Sequence, residues 1–479
     1  MSRKNLRVRT SKLPGPRSKE IIKQLQKYEL PGPLYSDFLG TGVHMPIFKE
    51  ADETIRIVDV DDNVFMDTHA AMACITLGYR AKEPIDAAKR QLDTLPAVLA
   101  MGPSLPRIEL AKMLVEQCVP GAMKNRSKVM FDTGGSASID LSLKMALYYS
   151  ASMKKDRRNI LMAFTGGYHG NGPLGMFASD ISMFRGNYPY RIEVTRVPYP
   201  YCYRCPYKME YPNCSLYCID FLERYLTTPS YGYYNPLTGK CDVTSLIVEP
   251  LQSHGGTIVP PDEFYPRLRN ICDEHEITFI DDEICGFMWS GKYWFCTQHY
   301  NTTPDVMIIA KGFSGGMSPL GAVIIKNEIA EALVENKFWY MSTYQGHPVA
   351  CAAALANLKA VKEKDILNYV DTEGKQILRR LEELKERYEI IGDVRGKGFM
   401  IAMEFVKSKK TKEPDRETAI KFGHELLKRG ATGYTGLGDH GNVMHWHLPL
   451  CIKKEEIEKL FEIFEECLIT VKKNQKSHR

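Results

Sequence analysis

Five short apolar runs recur along this chain with helical stretches between them, and that alternation constrains the fold more than any other feature. The runs are KVMF at 128–131, NILMAF at 159–164, SLIVE at 245–249, ITFID at 277–281 and VMIIA at 306–310. Residues 106–120 and 138–153 read as helices. Short strands alternating with helices indicate a mostly parallel sheet covered on both faces. Upstream, ETIRIVDVDDNVFMD (53–67) alternates apolar and polar residues around an Asp-Asp-Asn turn, the pattern of a hairpin. Downstream, 349–386 spaces its apolar residues by three and four among good helix formers, 390–406 returns to strand and turn, and the tail from Lys453 is an amphipathic helix. The expected class is α/β. A segment 1–75 joins a small domain, a large domain covers 76–337, and 338–479 forms the smaller α+β domain.

Composition narrows the function. The 479 residues are 44% hydrophobic and 25% charged, which excludes a disordered or fibrous chain and allows two or three domains. A net charge of +5 is too small to argue for nucleic acid, and no apolar run of about 18 residues is present to span a membrane. Met1–Lys19 holds seven Lys/Arg and no acid. A transit peptide is one reading, but Leu-Pro-Gly-Pro at 13–16 followed by SKEIIKQLQKYE reads better as a turn entering a surface helix. Thirteen cysteines, an odd number, suit reduced thiols in a cytoplasm.

The chemistry sits where the strands stop, the end of an open α/β sheet at which ligands bind. KVMF is followed by Asp132-Thr133-Gly134-Gly135-Ser136-Ala137-Ser138 and then a helix, small residues that let N–H groups approach an anion. NILMAF leads into Thr165-Gly166-Gly167-Tyr168-His169-Gly170, where an aromatic between glycines can lie on a planar ring. SLIV ends at Glu249-Pro250, the proline forbidding continuation. Asp281, Asp282 and Glu283 close the fourth run, costly in a buried strand unless something cationic is near. Lys311 directly follows VMIIA, where partial desolvation lowers its pKa and makes it a nucleophile towards a carbonyl. Each feature alone has a plainer alternative as a turn, a loop aromatic or a snorkelling lysine. Together they suit one cofactor, pyridoxal 5'-phosphate: phosphate cradle, stacking aromatic, carboxylate for the pyridinium nitrogen and Schiff-base lysine.

The pattern resembles the class III (subgroup II) pyridoxal-phosphate aminotransferases, the ornithine, 4-aminobutyrate and ω-amino acid aminotransferase group that also contains amino-acid racemases. The markers stand in family order: GGSAS (134–138), GGYHG (166–170), EPLQS (249–253), IDDEICGF (280–287), the Lys311 segment, TYQGHPVACAAALA (343–356) and IGDVRGKG (391–398). The resemblance implies fold type I, with a seven-stranded, mostly parallel sheet in the large domain. It implies Lys311 as Schiff-base lysine and proton-transfer base, Asp282 as partner of the ring nitrogen, and Ile284 and Tyr168 on the ring's two faces. Gly135, Ser136 and Ala137 match the phosphate loop, and Glu249 the family's Glu-Pro glutamate. Thr343 matches a threonine that reaches the phosphate in the neighbouring subunit, hence a homodimer with shared active sites. The implied reaction is ping-pong transfer of an amino group from an amino acid or amine to a keto acid, with racemisation or epimerisation as the alternative.

Several positions depart from the family pattern. Ala137 and Ile139 stand where Glu and Asn are usual, and Asn171 where an arginine often holds a substrate carboxylate. His445, in NVMHWHLPL (442–450), replaces another arginine, and His254 an acid or small residue. Imidazole cannot reproduce a bidentate guanidinium grip, so Asn171, His254 and His445 are candidates for an altered substrate pocket. The segment after Asp282 is one residue short, leaving Cys285 only loosely equivalent to the usual polar group near the ring hydroxyl. An insertion carries Cys202-x2-Cys205-x8-Cys214-x3-Cys218, a candidate zinc set, although packed thiols are the simpler expectation and no metal is required.

Overall fold

The computed structural model describes residues 6–30, 45–99, 102–153, 158–180 and 193–476. The chain divides into two compact units, one of residues 83–371 and one of residues 1–82 with 372–479.

The first unit is built on a seven-stranded sheet: β1 (Ser127–Asp132), β2 (Ile160–Phe164), β3 (Val194–Val197), β4 (Val243–Val248), β5 (Thr278–Asp282), β6 (Val306–Ile309) and β7 (Gly321–Lys326). Their spatial order is β1-β7-β6-β5-β4-β2-β3. β7 runs antiparallel to both neighbours and the other pairs are parallel. Central strands covered on both faces need apolar residues throughout, and β4, β5 and β6 are buried along their whole length. Helix α1 (Gly135–Met153) lays Ile139, Leu143 and Ala146 on a core that includes Leu161, Ile247, Ile280, Ile308 and Val323. Each of these Ile, Leu and Val side chains contributes about 1.5–3 kcal/mol on burial.

Because β6, β5, β4 and β2 are adjacent, their carboxyl ends carry Lys311, Asp282, Glu249 and the Tyr168 loop along one edge of the sheet.

The division falls later than the expected 75/76 and 337/338 boundaries, after residues 82 and 371. Helix α2 (Pro348–Glu363) accounts for much of the second shift. It belongs to the larger unit, where Nδ2 of Asn357 donates to the carbonyls of Gly312 and Phe313 at 3.0 and 3.3 Å.

The second unit holds an antiparallel sheet of β8 (Ile391–Lys397), β9 (Met400–Phe405), β10 (Tyr434–Leu437) and β11 (Val443–His447), in the order β8-β9-β11-β10. The tail helix Lys454–Lys476 packs on it through Phe464, whose ring lies 4.7 Å from that of Trp446. The hairpin read in 53–67 is formed by Arg56–Asp59 and Val64–Met66, and the basic N-terminal stretch leads into a helix at Pro16–Tyr28. Among the described residues no helix is long and apolar enough to cross a membrane.

Candidate active site

Lys311 follows β6 in a short 3-10 turn, Lys311–Ser314, and adopts a left-handed backbone with φ 48°. A non-glycine residue there is strained by about 1–3 kcal/mol, a cost tolerated where the surroundings fix the conformation. The two hydrogen bonds from Asn357 to the carbonyls that follow hold this turn. Nζ of Lys311 donates to Sγ of Cys285 at 2.7 Å. Burial raises the Cys285 thiol's pKa, and the lysine's charge opposes that rise. The cysteine of the shortened segment thus stands beside the lysine amine.

The three acids closing β5 separate by environment. Asp282 is 4% exposed, and its Oδ2 lies 2.8 Å from Nδ1 of the buried His169, while its Oδ1 accepts from the Ile284 N–H at 3.1 Å. His169 lies on the loop after β2 and is a site residue that the strand-end pattern does not single out. Glu283 turns away to accept the Thr297 N–H at 2.8 Å, and burial pushes it up to about 8. Asp281 is pushed well up by burial and then by the Glu283 charge. Of the three, Asp282 is the one served by an imidazole.

Glu249 anchors two loops. Its Oε1 accepts the Tyr168 N–H at 2.9 Å and its Oε2 the Ser253 N–H at 3.0 Å. Burial raises it to about 7. The Tyr168 ring lies 5.4 Å from that of His254 at a 38° tilt. Burial, and secondarily the Lys311 charge, pull His254 down to about 4, so it is a neutral imidazole at pH 7. Asn171 is exposed; its N–H donates to Oγ of Ser136 at 3.2 Å, and its Nδ2 lies 3.5 Å from the Tyr168 hydroxyl, the outer limit of hydrogen-bond reach.

Two glycines let these loops meet. A Cβ on Gly170, whose φ is +85°, would lie 2.6 Å from Oγ of Ser136, and a Cβ on Gly135 would lie 3.1 Å from Cδ1 of Ile284. The first turn of α1, with Gly135, Ser136 and Ala137, is therefore drawn up against the Tyr168 loop and the end of β5. Thr343 is exposed, next to Tyr344, which is 65% exposed. His445 lies in the other unit, on β11. The four cysteines of the insertion are free thiols lining one cavity of about 20 Å³ with Tyr207 and Tyr217. Burial raises Cys202 to about 11 and Cys218 to about 12.

Residues 40–468 match the model of the family described as aminotransferase class-III. The chain belongs to the class-III aminotransferases. It is 31% identical over 425 residues to a putrescine–pyruvate aminotransferase of Pseudomonas aeruginosa, covering 87% of this chain and 89% of that protein. It is 32% identical over 467 residues to an alanine/serine racemase of Pyrococcus horikoshii, covering 95% and 91%. The PLP-bound crystal structure of an amine transaminase from an uncultivated Pseudomonas species superposes with a TM-score of 0.81 at 28% identity, over 89% of this chain and 95% of that one. This class-III aminotransferase is accordingly a pyridoxal-phosphate-dependent transaminase of fold type I.

The residues present fit that cofactor. The α1 amides, brought close by the glycines, would be donors for a phosphate, as helix N-termini are. Asp282, beside His169, would be the carboxylate for a ring nitrogen, Tyr168 and Ile284 would offer surface to a planar ring, and Lys311 would offer the amine.

Proposed function

We propose that this class-III aminotransferase carries an amino group from an amine or amino acid to a keto acid by a ping-pong cycle in which Lys311 is the reacting amine. Pyridoxal phosphate, when bound, supplies an aldehyde for amine capture and a protonated ring that accepts the electron pair left on the donor carbon. Asp282 would pair with the ring nitrogen, and His169, with Nδ1 2.8 Å from Oδ2, holds that carboxylate in place. Lys311 Nζ would be the amine that holds the cofactor's aldehyde carbon in the resting enzyme and, once displaced by the donor's amine, the base that carries the donor's Cα proton. Cys285 orients Nζ between those roles. Gly135, Ser136 and Ala137 hold the phosphate through backbone N–H groups. Asn171 and the neutral His254 line the substrate side and confer selectivity without a fixed positive charge at those two positions. The observation that carries this reading is the Lys311–Cys285 and Asp282–His169 pairing at adjacent strand ends.

The functional unit in this reading is a homodimer. Trp339 is 68% exposed, Met341 44% and Tyr344 65%, flanking Thr343, an apolar stretch suited to a second copy of the chain, with Thr343 directed to the partner's phosphate. Thirteen cysteines, none of them in a disulfide, suit a reducing, cytoplasmic compartment.

The identity to the alanine/serine racemase supports a second reading, racemisation, in which the proton returns to Cα on the opposite face. Titrating the PLP-loaded enzyme with a panel of amines and amino acids, with no keto acid present, separates the two. Stoichiometric conversion to the pyridoxamine form establishes transamination and names the donor. An unchanged spectrum with solvent deuterium entering Cα establishes racemisation, and failure to bind PLP refutes both.

A further inference from the structure

We propose a second site in this chain: a divalent transition-metal ion held by His69, His445 and His447. All three belong to the unit of residues 1–82 and 372–479. Their ligand nitrogens lie within 4.8 Å of one another, and among the described residues this is the one such group of three or more His, Cys, Asp or Glu. The rings are 8%, 3% and 2% exposed. The centroids are 4.8 Å apart for His69 and His445, 5.3 Å for His69 and His447, and 4.9 Å for His445 and His447.

The convergence is built by three separate devices. His445 and His447 stand two apart on β11, so the strand's period of two puts both on one face. Tyr434 pairs with His445 across the ladder to β10, and its ring lies parallel to that of His69 at 5.3 Å and 6°, walling one side. His69 is presented by an unusual turn: Ala70, Ala71, Met72 and Ala73 all have left-handed backbones, with φ of 49°, 48°, 61° and 62°. Left-handed helical geometry costs L-residues about 1–2 kcal/mol each. Asp67 holds the turn, its Oδ1 accepting the His69 N–H at 2.9 Å and the Thr432 hydroxyl at 2.9 Å, and its Oδ2 the Ala71 N–H at 2.7 Å and the Tyr79 hydroxyl at 2.6 Å. Strain of this kind persists where the surrounding structure over-determines it, and it clusters at functional sites.

The donor set selects the ion. Three imidazoles and one open position are the ligand set of a tetrahedral zinc site, with Zn–N distances of about 2.0–2.1 Å and nitrogens therefore about 3.3 Å apart. The rings need to close by roughly 1.5 Å at most, within the reach of a χ adjustment. Imidazole suits Zn²⁺, Co²⁺, Ni²⁺ and Cu²⁺, whereas Mg²⁺ and Ca²⁺ demand oxygen ligands. A water or an anion takes the fourth position. The buried set contains no carboxylate or thiolate ligand, so the bound ion keeps its full double charge and favours an anionic fourth ligand.

The test uses PLP-loaded enzyme stripped with a chelator, dialysed, and equilibrated with Zn²⁺, Co²⁺ or Mg²⁺ before metal analysis. One Zn²⁺ or Co²⁺ per chain and no Mg²⁺ is expected, with visible Co²⁺ ligand-field absorption and no thiolate charge-transfer bands. His69→Ala and His447→Ala weaken binding by at least about 100-fold, while a Cys202→Ser/Cys205→Ser variant keeps the metal. Because an alanine variant can fail to fold, the wild-type Co²⁺ spectrum stands as an independent readout: thiolate bands overturn the proposal. So does absence of stoichiometric binding, or metal retained by folded histidine variants.

Discussion

Replacing His169 with phenylalanine isolates what the imidazole does for Asp282. The ring volume is nearly kept, but the group 2.8 Å from Oδ2 is lost, leaving a 4% exposed carboxylate with the Ile284 N–H on its other oxygen. A hydrogen bond to a charged group contributes about 1.5–3 kcal/mol net. At about 1.4 kcal/mol per tenfold, PLP affinity falls by roughly 10- to 150-fold. The assay is titration of the apoenzyme with PLP. His169→Asn, whose amide N–H can stand where Nδ1–H stood, restores most of the affinity. A PLP affinity within threefold of wild type refutes the positioning role.

Glu283, raised to about 8 by burial, favours its protonated form in the folded chain. The stability this provides is fully present below the unfolded value of about 4.3 and is lost as pH rises through about 8. The melting temperature of wild type therefore falls relative to Glu283→Gln between roughly pH 4 and 8 and levels off above that, and a constant difference across that window contradicts the assignment. In Gly321→Ala the new Cβ would lie 2.3 Å from Oγ of Ser138 and 2.6 Å from the Gly134 carbonyl. Denaturant titration is expected to show about 1–3 kcal/mol of destabilisation, and PLP binding weakens because the start of α1 is displaced. Trp339→Glu places a charge in the exposed apolar stretch; sedimentation is expected to show a dimer for wild type and a monomer for the variant, and equal sedimentation of the two contradicts the dimer face.

The large sheet is legible in the sequence because its central strands must be apolar throughout, so β4, β5 and β6 stand out as runs, each with a candidate site residue at its carboxyl end. β3 is hidden by its shortness and by Arg196. β7 is as apolar as its neighbours but ends in no such residue. Lys311, Asp282, Tyr168 and Glu249 can be read locally, each from the strand before it. His169 cannot, because its partner lies 113 residues away and only the β2-β4-β5 adjacency brings them together. Cys285 beside Lys311 is equally a product of strand order. The histidine cluster is farther from view. Ala70–Ala73 has the composition of an ordinary right-handed helix, and only the anchoring of Asp67 to Thr432 and Tyr79 accompanies the opposite hand. The late boundary at residue 371 reflects α2, whose helical signal says nothing about which unit it will cover.

The central claim is that Lys311 is the amine through which this class-III aminotransferase works. Borohydride reduction of the PLP-loaded protein, followed by peptide mass spectrometry, tests it most directly, since reduction makes any carbon–nitrogen double bond between protein and cofactor permanent. The account predicts one cofactor per chain on the peptide containing Lys311, and none in Lys311→Ala. Stoichiometric labelling of another lysine, or no covalent label on protein that binds PLP, would contradict it.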